Sequence, residues 1–128
     1  SCHTEPLFTN NEFHNNGLTL DPYLNDYGRM RVTNKSEDSL KFKVPTLRNI
    51  QFTSPYMHDG RFETLKAVIT HYNSEITYSS TLSESLKNNL QLTHKEEVDL
   101  LVFLRTLTDT DFLFNKRFSY PFNNQTIP

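Results

Sequence analysis

Apolar side chains recur at helical spacing in two segments of the second half of the chain. The first segment is 65–73, where the apolar and aromatic side chains fall on one face and Thr64 precedes them as the N-cap. This spacing turns Tyr72 inward with the aliphatic side chains and leaves His71 about 100° away, on the flank. The pattern therefore predicts a short helix that presents a phenol to the interior of the domain.

The second segment is 94–107, and its pattern is the clearest in the chain. Thr93 and Glu96 stand at the spacing of a capping box, which marks the start of a helix. Leucines and a valine then form an apolar stripe along one face. We expect this helix to contribute packing alone, with His94 in its first turn a structural or solvated side chain.

Outside these segments, turn-forming residues interrupt the pattern. Residues 17–41 predict an irregular loop with at most a short extended piece over 29–33. Residues 46–50 predict a brief helical turn with Pro45 at its first position. The aromatic tail has no period, and we expect residues 110–128 to wrap back over the core.

The composition is that of one domain of ordinary size, residues 1–128, with 35% hydrophobic residues supplemented by 10 Phe and 6 Tyr. A net charge of -2 and the lack of a Lys/Arg-rich run argue against a nucleic-acid partner. No apolar run approaches the roughly 20 residues that a membrane-spanning helix needs. The single cysteine excludes an internal disulfide and a CxxC zinc site.

Possible metal ligands concentrate in residues 42–73, between prolines and an Asp-Gly turn. They are Met57, His58 and His71, and the phenol of Tyr72 follows directly. So many ligand groups around rigid turns are typical of the wall of a cofactor pocket.

The chain begins Ser1-Cys2-His3, which matches the last three letters of the C-x-x-C-H motif that attaches haem c. In that motif two thiols form thioethers to the porphyrin and the histidine ligates iron. The first cysteine would fall two positions before Ser1, so we expect haem to be absent wherever that partner is missing. A bare Cys-His pair also fits an incidental cysteine beside an exposed histidine.

Longer motifs carry a resemblance to a known family. They are F-K-V-P-T-L-R-N-I, T-x-P-Y-M-H-D-G-R-F-x-T-L, V-x-x-H-Y-N and L-T-x-x-E-x-x-D-L-x-x-F-L-x-T-L-T-D, after an N-terminal C-H-x-x-P-L-F-T-x-N-x-F-H-N-x-G. In this order they resemble the C-terminal haem domain of the bacterial dihaem cytochrome c peroxidases, and the MauG-type branch more closely. The resemblance extends from Cys2 to about Asp109.

The resemblance implies an all-α, cytochrome c-like haem domain with long irregular loops, part of a larger two-haem protein. The parent would be a periplasmic or otherwise exported bacterial oxidoreductase that reduces hydrogen peroxide or uses it to oxidise a protein substrate. Its implied partners are the N-terminal haem domain of the same chain, hydrogen peroxide at the other haem, and a small electron-donor protein or protein substrate. This part alone is not expected to be fully active. A stand-alone monohaem electron carrier and a haem-free remnant domain are the alternatives.

The resemblance also implies roles for single residues. Cys2 matches the second thioether cysteine, His3 the proximal iron ligand, and His58 a histidine packed beside the haem. Tyr72 matches the distal iron ligand of MauG-like proteins, with Met57 as the alternative. A phenolate favours Fe(III) or higher states, whereas a thioether favours Fe(II).

Four further residues are implied to bind the haem or a second metal. Thr53 and Pro55 match positions whose backbone carbonyls bind a calcium ion in the intact protein, between the two haem domains. Arg48 and Arg61 are suited to haem propionates, although ordinary surface ion pairs explain them equally well. Asp59 is expected to be a turn residue, and we assign no catalytic residue to this chain.

Overall fold

The fold is mostly helical with a small sheet and irregular loops, as seen in a computed structural model that describes residues 2–119. The α-helices of this range are α1 (Met30–Thr33), α2 (Leu65–Ser74), α3 (His94–Thr106) and α4 (Thr110–Leu113). Short 3-10 helices cover Ser36–Asp38, Ile50–Phe52, Glu84–Leu86 and Lys116–Phe118. Strands β1 (Phe13–His14) and β2 (Phe42–Lys43) pair antiparallel, so the expectation of an all-α domain is confirmed only in part.

Both helices predicted from apolar spacing are present, and their caps form as expected. Thr64 Oγ1 accepts a hydrogen bond from the Ala67 amide at 3.2 Å at the start of α2. At the start of α3, Glu96 Oε2 accepts from the Thr93 amide at 2.8 Å, and Thr93 Oγ1 accepts from the Glu96 amide at 3.4 Å. The first amides of a helix have no partner inside it, and these cap side chains supply one. For this reason Thr64 and Thr93 mark the starts of α2 and α3 in the sequence.

The hydrophobic core lies where α2 packs against α3. Its buried members are Tyr56, Leu65, Ile69 and Leu104. Partly buried side chains surround them: Leu47, Ile50, Phe62, Val68, Leu92, Leu100, Leu101 and Leu107. The Tyr56 hydroxyl donates to the Ile50 carbonyl at 2.9 Å, so the one polar atom that this ring brings inside is satisfied.

A second buried centre is polar and lies just after β1. Asn15 is 1% exposed, and its amide nitrogen donates to Ser79 Oγ at 2.9 Å and Thr81 Oγ1 at 2.8 Å. Its Oδ1 accepts from the Gly17 amide at 2.8 Å. Thr81 donates in turn to the Ser39 carbonyl at 2.8 Å. This chain of bonds joins segments that are far apart in the sequence.

Two local predictions were wrong. Residues 30–33 are helical rather than extended. Gly28 turns the chain just before this helix at φ 61, where a Cβ would lie 2.5 Å from the Lys41 carbonyl oxygen. The helical turn expected over 46–50 begins only at Ile50, so Pro45 does not start it. The β1–β2 pair was not predicted, since two-residue strands show no alternation.

The described part of the aromatic tail is exposed to a large extent. Phe112, Phe114 and Phe118 are 50%, 68% and 57% exposed, and Phe114 packs edge-on against Phe52. The rest of the predicted wrapping tail, 120–128, lies outside the described residues. No helix in the described part of the chain is long and apolar enough to span a bilayer.

Replacing Asn15 with Asp tests the buried polar centre. The carboxylate cannot donate to Thr81, whose single hydroxyl proton already goes to the Ser39 carbonyl. We expect the free energy of unfolding to fall by about 1–3 kcal/mol. The loss should grow as the pH rises above about 4, because burial raises the pKa of a carboxyl and disfavours its charged form. Urea denaturation followed by circular dichroism measures this.

The matched control is Asn34→Asp. Asn34 is exposed and has a left-handed backbone (φ 57) at the end of α1, a conformation that Asp tolerates. We expect its stability to stay close to that of the unchanged protein. Equal losses in the two variants would contradict the structural role of Asn15.

Candidate functional site

A cavity of about 450 Å³ opens beside β2, the loop that follows it and the face of α2 that contains Val68 and Tyr72. Its size lies within the range of pockets that bind small molecules and cofactors. Most lining residues are apolar or aromatic, and the lining also includes His3, Asn16, Met57, His58 and Tyr72. The cavity therefore collects most of the ligand groups that the sequence singled out, although they are spread over residues 3–72.

His3 lines the cavity with its tautomer fixed. Its Nδ1 lies 3.0 Å from the Phe8 carbonyl oxygen, and because a carbonyl only accepts, Nδ1 must be the protonated nitrogen. In the neutral ring this leaves the Nε2 lone pair to bind a metal. Metal-binding histidines usually donate their other N–H to a carbonyl or carboxylate in this way. Nε2 is therefore the His3 nitrogen that could bind a metal.

The loop that contains Cys2 and His3 is fastened to the residues after β2. The Arg48 guanidinium donates to the Pro6 carbonyl at 2.8 Å, which holds this loop but leaves Arg48 outside the cavity lining. Two further side-chain bonds join the same segments, Thr46 to the Leu7 carbonyl at 2.6 Å and Thr9 to the Val44 carbonyl at 2.7 Å. Cys2 itself is half-buried and is a free thiol.

Tyr72 and Met57 both line the cavity, and they share one hydrogen-bond donor. Asn16 Nδ2 lies 3.4 Å from Tyr72 Oη and 3.5 Å from Met57 Sδ. Burial raises the pKa of the Tyr72 phenol above its usual 10.0, the Asn16 bond opposes this, and the charge of Cys2 adds to it. The structure therefore brings the two alternative iron ligands to one place.

Asn16 was not singled out from the sequence. Its partners lie 41 and 56 positions away, so no local pattern could have indicated it.

His71 is a structural residue. It is 2% exposed, and its Nε2 donates to the Asn16 carbonyl at 3.0 Å. Because this nitrogen is engaged, His71 does not offer it to a metal. His71 precedes Tyr72 on α2, so its hydrogen bond to the Asn16 backbone instead keeps Asn16 next to the Tyr72 phenol.

His58 lies flat against a ring that the sequence did not single out. Its ring stacks on Phe42 with centroids 3.6 Å apart and planes at 13°, and both residues line the cavity. Burial lowers the pKa of His58 below 6.5, although Asp59 and Asp26 oppose this effect. His58 is therefore neutral at neutral pH, and its flat ring forms part of the cavity wall.

The Arg61 guanidinium is hydrogen-bonded to Asp59 and Thr19. Its Nε donates to Asp59 Oδ2 at 2.8 Å, and its other nitrogens donate to the Thr19 hydroxyl at 3.0 Å and the Thr19 carbonyl at 2.9 Å. Like Arg48, it does not line the cavity. The Asp59 side chain is 3% exposed and also accepts from the Arg61 amide, as expected of a turn residue.

Thr53 and Pro55 line the cavity from the loop that precedes Tyr56. Within residues 2–119, neither of their carbonyl oxygens accepts a hydrogen bond. The same range contains no group of three His, Cys, Asp or Glu side chains that could hold a metal ion. A cation at these carbonyls would therefore need ligands from another segment or domain.

Comparison with known proteins shows which proteins the chain resembles. The chain is 36% identical to methylamine utilization protein MauG of Methylophilus methylotrophus, over 84% of this chain and 31% of that protein. It is 35% identical to cytochrome-c peroxidase IdrP1 of a Pseudomonas strain, over 80% of this chain and 27% of that protein. It is 33% identical to cytochrome c551 peroxidase of Nitrosomonas europaea, over 98% of this chain and 35% of that protein. Over most of its length the chain is therefore homologous to MauG and to bacterial cytochrome-c peroxidases.

A solved structure agrees with this assignment. The crystal structure of a MauG-like protein associated with microbial copper homeostasis superposes with a TM-score of 0.74 at 36% identity, over 92% of this chain and 40% of that one. No protein-family model matches the chain. The chain spans about a third of the length of these curated relatives.

Replacing Asp59 with Asn tests the turn beneath the cavity. Burial raises the pKa of Asp59, but the hydrogen bonds and charge of Arg61 outweigh this and hold the pKa below 3.8. The carboxylate therefore stabilises the fold above that range, and its contribution is lost as the pH falls through the lowered pKa. We expect Asp59→Asn to reduce the free energy of unfolding by about 2 kcal/mol at neutral pH, with a smaller loss at about pH 3.

Denaturant titrations at the two pH values measure the difference. The control is Asp99→Asn, because the Lys95–Asp99 pair on α3 is 85% and 62% exposed and should matter little. A loss for Asp59→Asn that does not depend on pH would show that the charge is unimportant.

Proposed function

We propose that this chain is the C-terminal haem domain of a larger dihaem, peroxidase-type oxidoreductase, and that it transfers electrons. The observation that carries the proposal is the cavity: His3 lines it with Nε2 left as the metal-binding nitrogen, and Tyr72 and Met57 line it too. Similarity to MauG and to cytochrome-c peroxidases over most of the chain supports the same function.

The residues present fit a covalently attached haem. Cys2 would form one thioether, and the second would come from a cysteine two positions before Ser1. His3 would be the proximal ligand, and the stacked ring of His58 would pack beside the porphyrin in a mostly apolar cavity. When bound, haem supplies one-electron redox chemistry that the side chains alone cannot perform.

We propose Tyr72 rather than Met57 as the distal ligand. Tyr72 lies on α2, where helical spacing turns it towards the cavity that it lines. The resemblance to MauG-like proteins implies the same ligand position. An anionic, hard phenolate stabilises Fe(III) and higher states, whereas a neutral thioether would suit an electron-entry haem. Tyr72 therefore fits a domain that stores oxidising equivalents.

The remaining predicted contacts are calcium binding by Thr53 and Pro55 and haem-propionate binding by Arg48 and Arg61. The Thr53 and Pro55 carbonyls are proposed to bind calcium together with ligands from the other haem domain, and their lack of other partners within residues 2–119 supports this. A propionate role for Arg48 and Arg61 stays a prediction. Their present partners, the Pro6 carbonyl and Asp59, favour a role in fastening the cavity walls.

The whole protein is proposed to be a bacterial enzyme exported to the periplasm. Its other haem would react with hydrogen peroxide, and this domain would exchange electrons with that haem and with a small donor protein or a protein substrate. On this proposal, residues 1–128 are not fully active alone, because the peroxide-binding haem belongs to the other domain.

Counting haems in the full-length protein tests this function. We expect two per polypeptide in the pyridine haemochrome assay after expression with c-type maturation, and one after His3→Ala, since the proximal ligand is lost. His94→Ala is the control, because His94 lies on α3 with its side chain 85% exposed. One haem in the unchanged protein would favour a stand-alone electron carrier, and none would favour a haem-free remnant.

The ferric spectrum tests the distal ligand. We expect Tyr72→Phe to convert the haem bound by this domain from six-coordinate to five-coordinate or to a different ligand, because phenylalanine has no oxygen. Met57→Leu should leave the spectrum unchanged. Absorption and electron paramagnetic resonance of the full-length protein report both variants. An unchanged six-coordinate spectrum in Tyr72→Phe would exclude Tyr72 as the ligand.

A further inference from the structure

Asn16 stands between the two alternative iron ligands, and its backbone and side chain are held in place. His71 donates to the Asn16 carbonyl at 3.0 Å, and Asn16 Oδ1 accepts from the Leu18 amide at 3.3 Å. Because Oδ1 is engaged there, the amide cannot turn over without losing this bond, and the NH2 group faces Tyr72 and Met57.

We propose that Asn16 is a positioning residue that selects Tyr72 over Met57 as the ligand to iron. This inference rests on the proposed haem function. The proposed roles of Cys2, His3 and His58 do not require an amide at this point of the cavity.

The selection follows from how the two acceptors differ. A phenolate oxygen is charged, so a hydrogen bond donated to it is charge-assisted, and the oxygen has lone pairs enough to accept the N–H while it binds a metal. A thioether sulfur is neutral and a weak acceptor. The same NH2 group therefore stabilises a metal-bound Tyr72 more than a metal-bound Met57.

The bond to sulfur acts in the same direction. Met57 Sδ lies 3.5 Å from Asn16 Nδ2, and Met57 has a left-handed backbone at φ 73 in the turn before Asp59. A sulfur that accepts this N–H has less electron density to offer a metal, so the bond weakens Met57 as a ligand. Asn16 thus favours one ligand and restrains its competitor.

The test is Asn16→Leu in the haem-loaded, full-length protein, with the ferric spectrum and the reduction potential of this haem as readouts. Leucine keeps the branched shape of the side chain and removes both N–H donors. We expect a thioether-to-iron charge-transfer band and a rise in potential of about 59 mV or more, the equivalent of a tenfold stronger preference for Fe(II). Asn16→Ala, which removes the same donors with a smaller side chain, should shift both readouts in the same direction and serves if Asn16→Leu folds poorly.

Two controls separate selection from general damage. The double variant Asn16→Leu/Met57→Leu should recover the spectrum of the unchanged protein, because the competing sulfur is gone. Asn73→Leu removes an amide next to Tyr72 that donates to the Leu92 carbonyl at 3.1 Å and to Glu97 at 2.8 Å. It should lower stability and leave spectrum and potential unchanged.

The outcomes distinguish this inference from the proposed function. If Tyr72→Phe changes the ferric spectrum but both Asn16 variants leave spectrum and potential as in the unchanged protein, Asn16 does not select the ligand, and the haem function stands. If the unchanged protein binds no haem at this domain, the proposed function is wrong and the role of Asn16 falls with it. A change shared with Asn73→Leu would also overturn the selection.

Discussion

The buried hydrogen bonds of two consecutive asparagines hold the cavity together. Asn15 ties the end of β1 to the loop at residues 79–81, and Asn16 receives a bond from His71 on α2. A buried amide that lost these partners would leave polar groups unsatisfied at a cost of about 1–3 kcal/mol each. The position of α2, and therefore of Tyr72, depends on this polar connection as well as on the apolar core beneath it.

The apolar face of α2 serves both the core and the cavity. Leu65 and Ile69 pack against α3 in the hydrophobic core. Tyr72, on the same face, lines a cavity whose further walls come from the loop of His3 and from the residues after β2. Since the N-terminal loop is fastened to these residues by side-chain to carbonyl bonds, the walls form one connected unit.

Neither Arg48 nor Arg61 lines the cavity, whereas Lys43 does. Arg61 is hydrogen-bonded to Asp59 and Thr19, and Arg48 is hydrogen-bonded to the Pro6 carbonyl. The rest of the lining is mostly apolar or aromatic and includes an imidazole with a protonated Nδ1, a phenol, a thioether and a stacked imidazole. Such a set suits a large, mostly apolar cofactor with a metal centre, in agreement with the similarity to MauG and the cytochrome-c peroxidases.

Local chemistry was enough to predict α2 and α3, because the caps of Thr64 and Thr93 and the apolar spacing act within one or two helical turns. The same spacing turned Tyr72 inward, and the longer motifs carried the resemblance that implies haem at Cys2 and His3. The tertiary structure alone decided that Tyr72 and Met57 meet at Asn16, that Phe42 stacks on His58, and that His71 is structural. These contacts join residues up to 56 positions apart, and side-chain hydrogen bonds over such distances leave no periodic trace in a sequence.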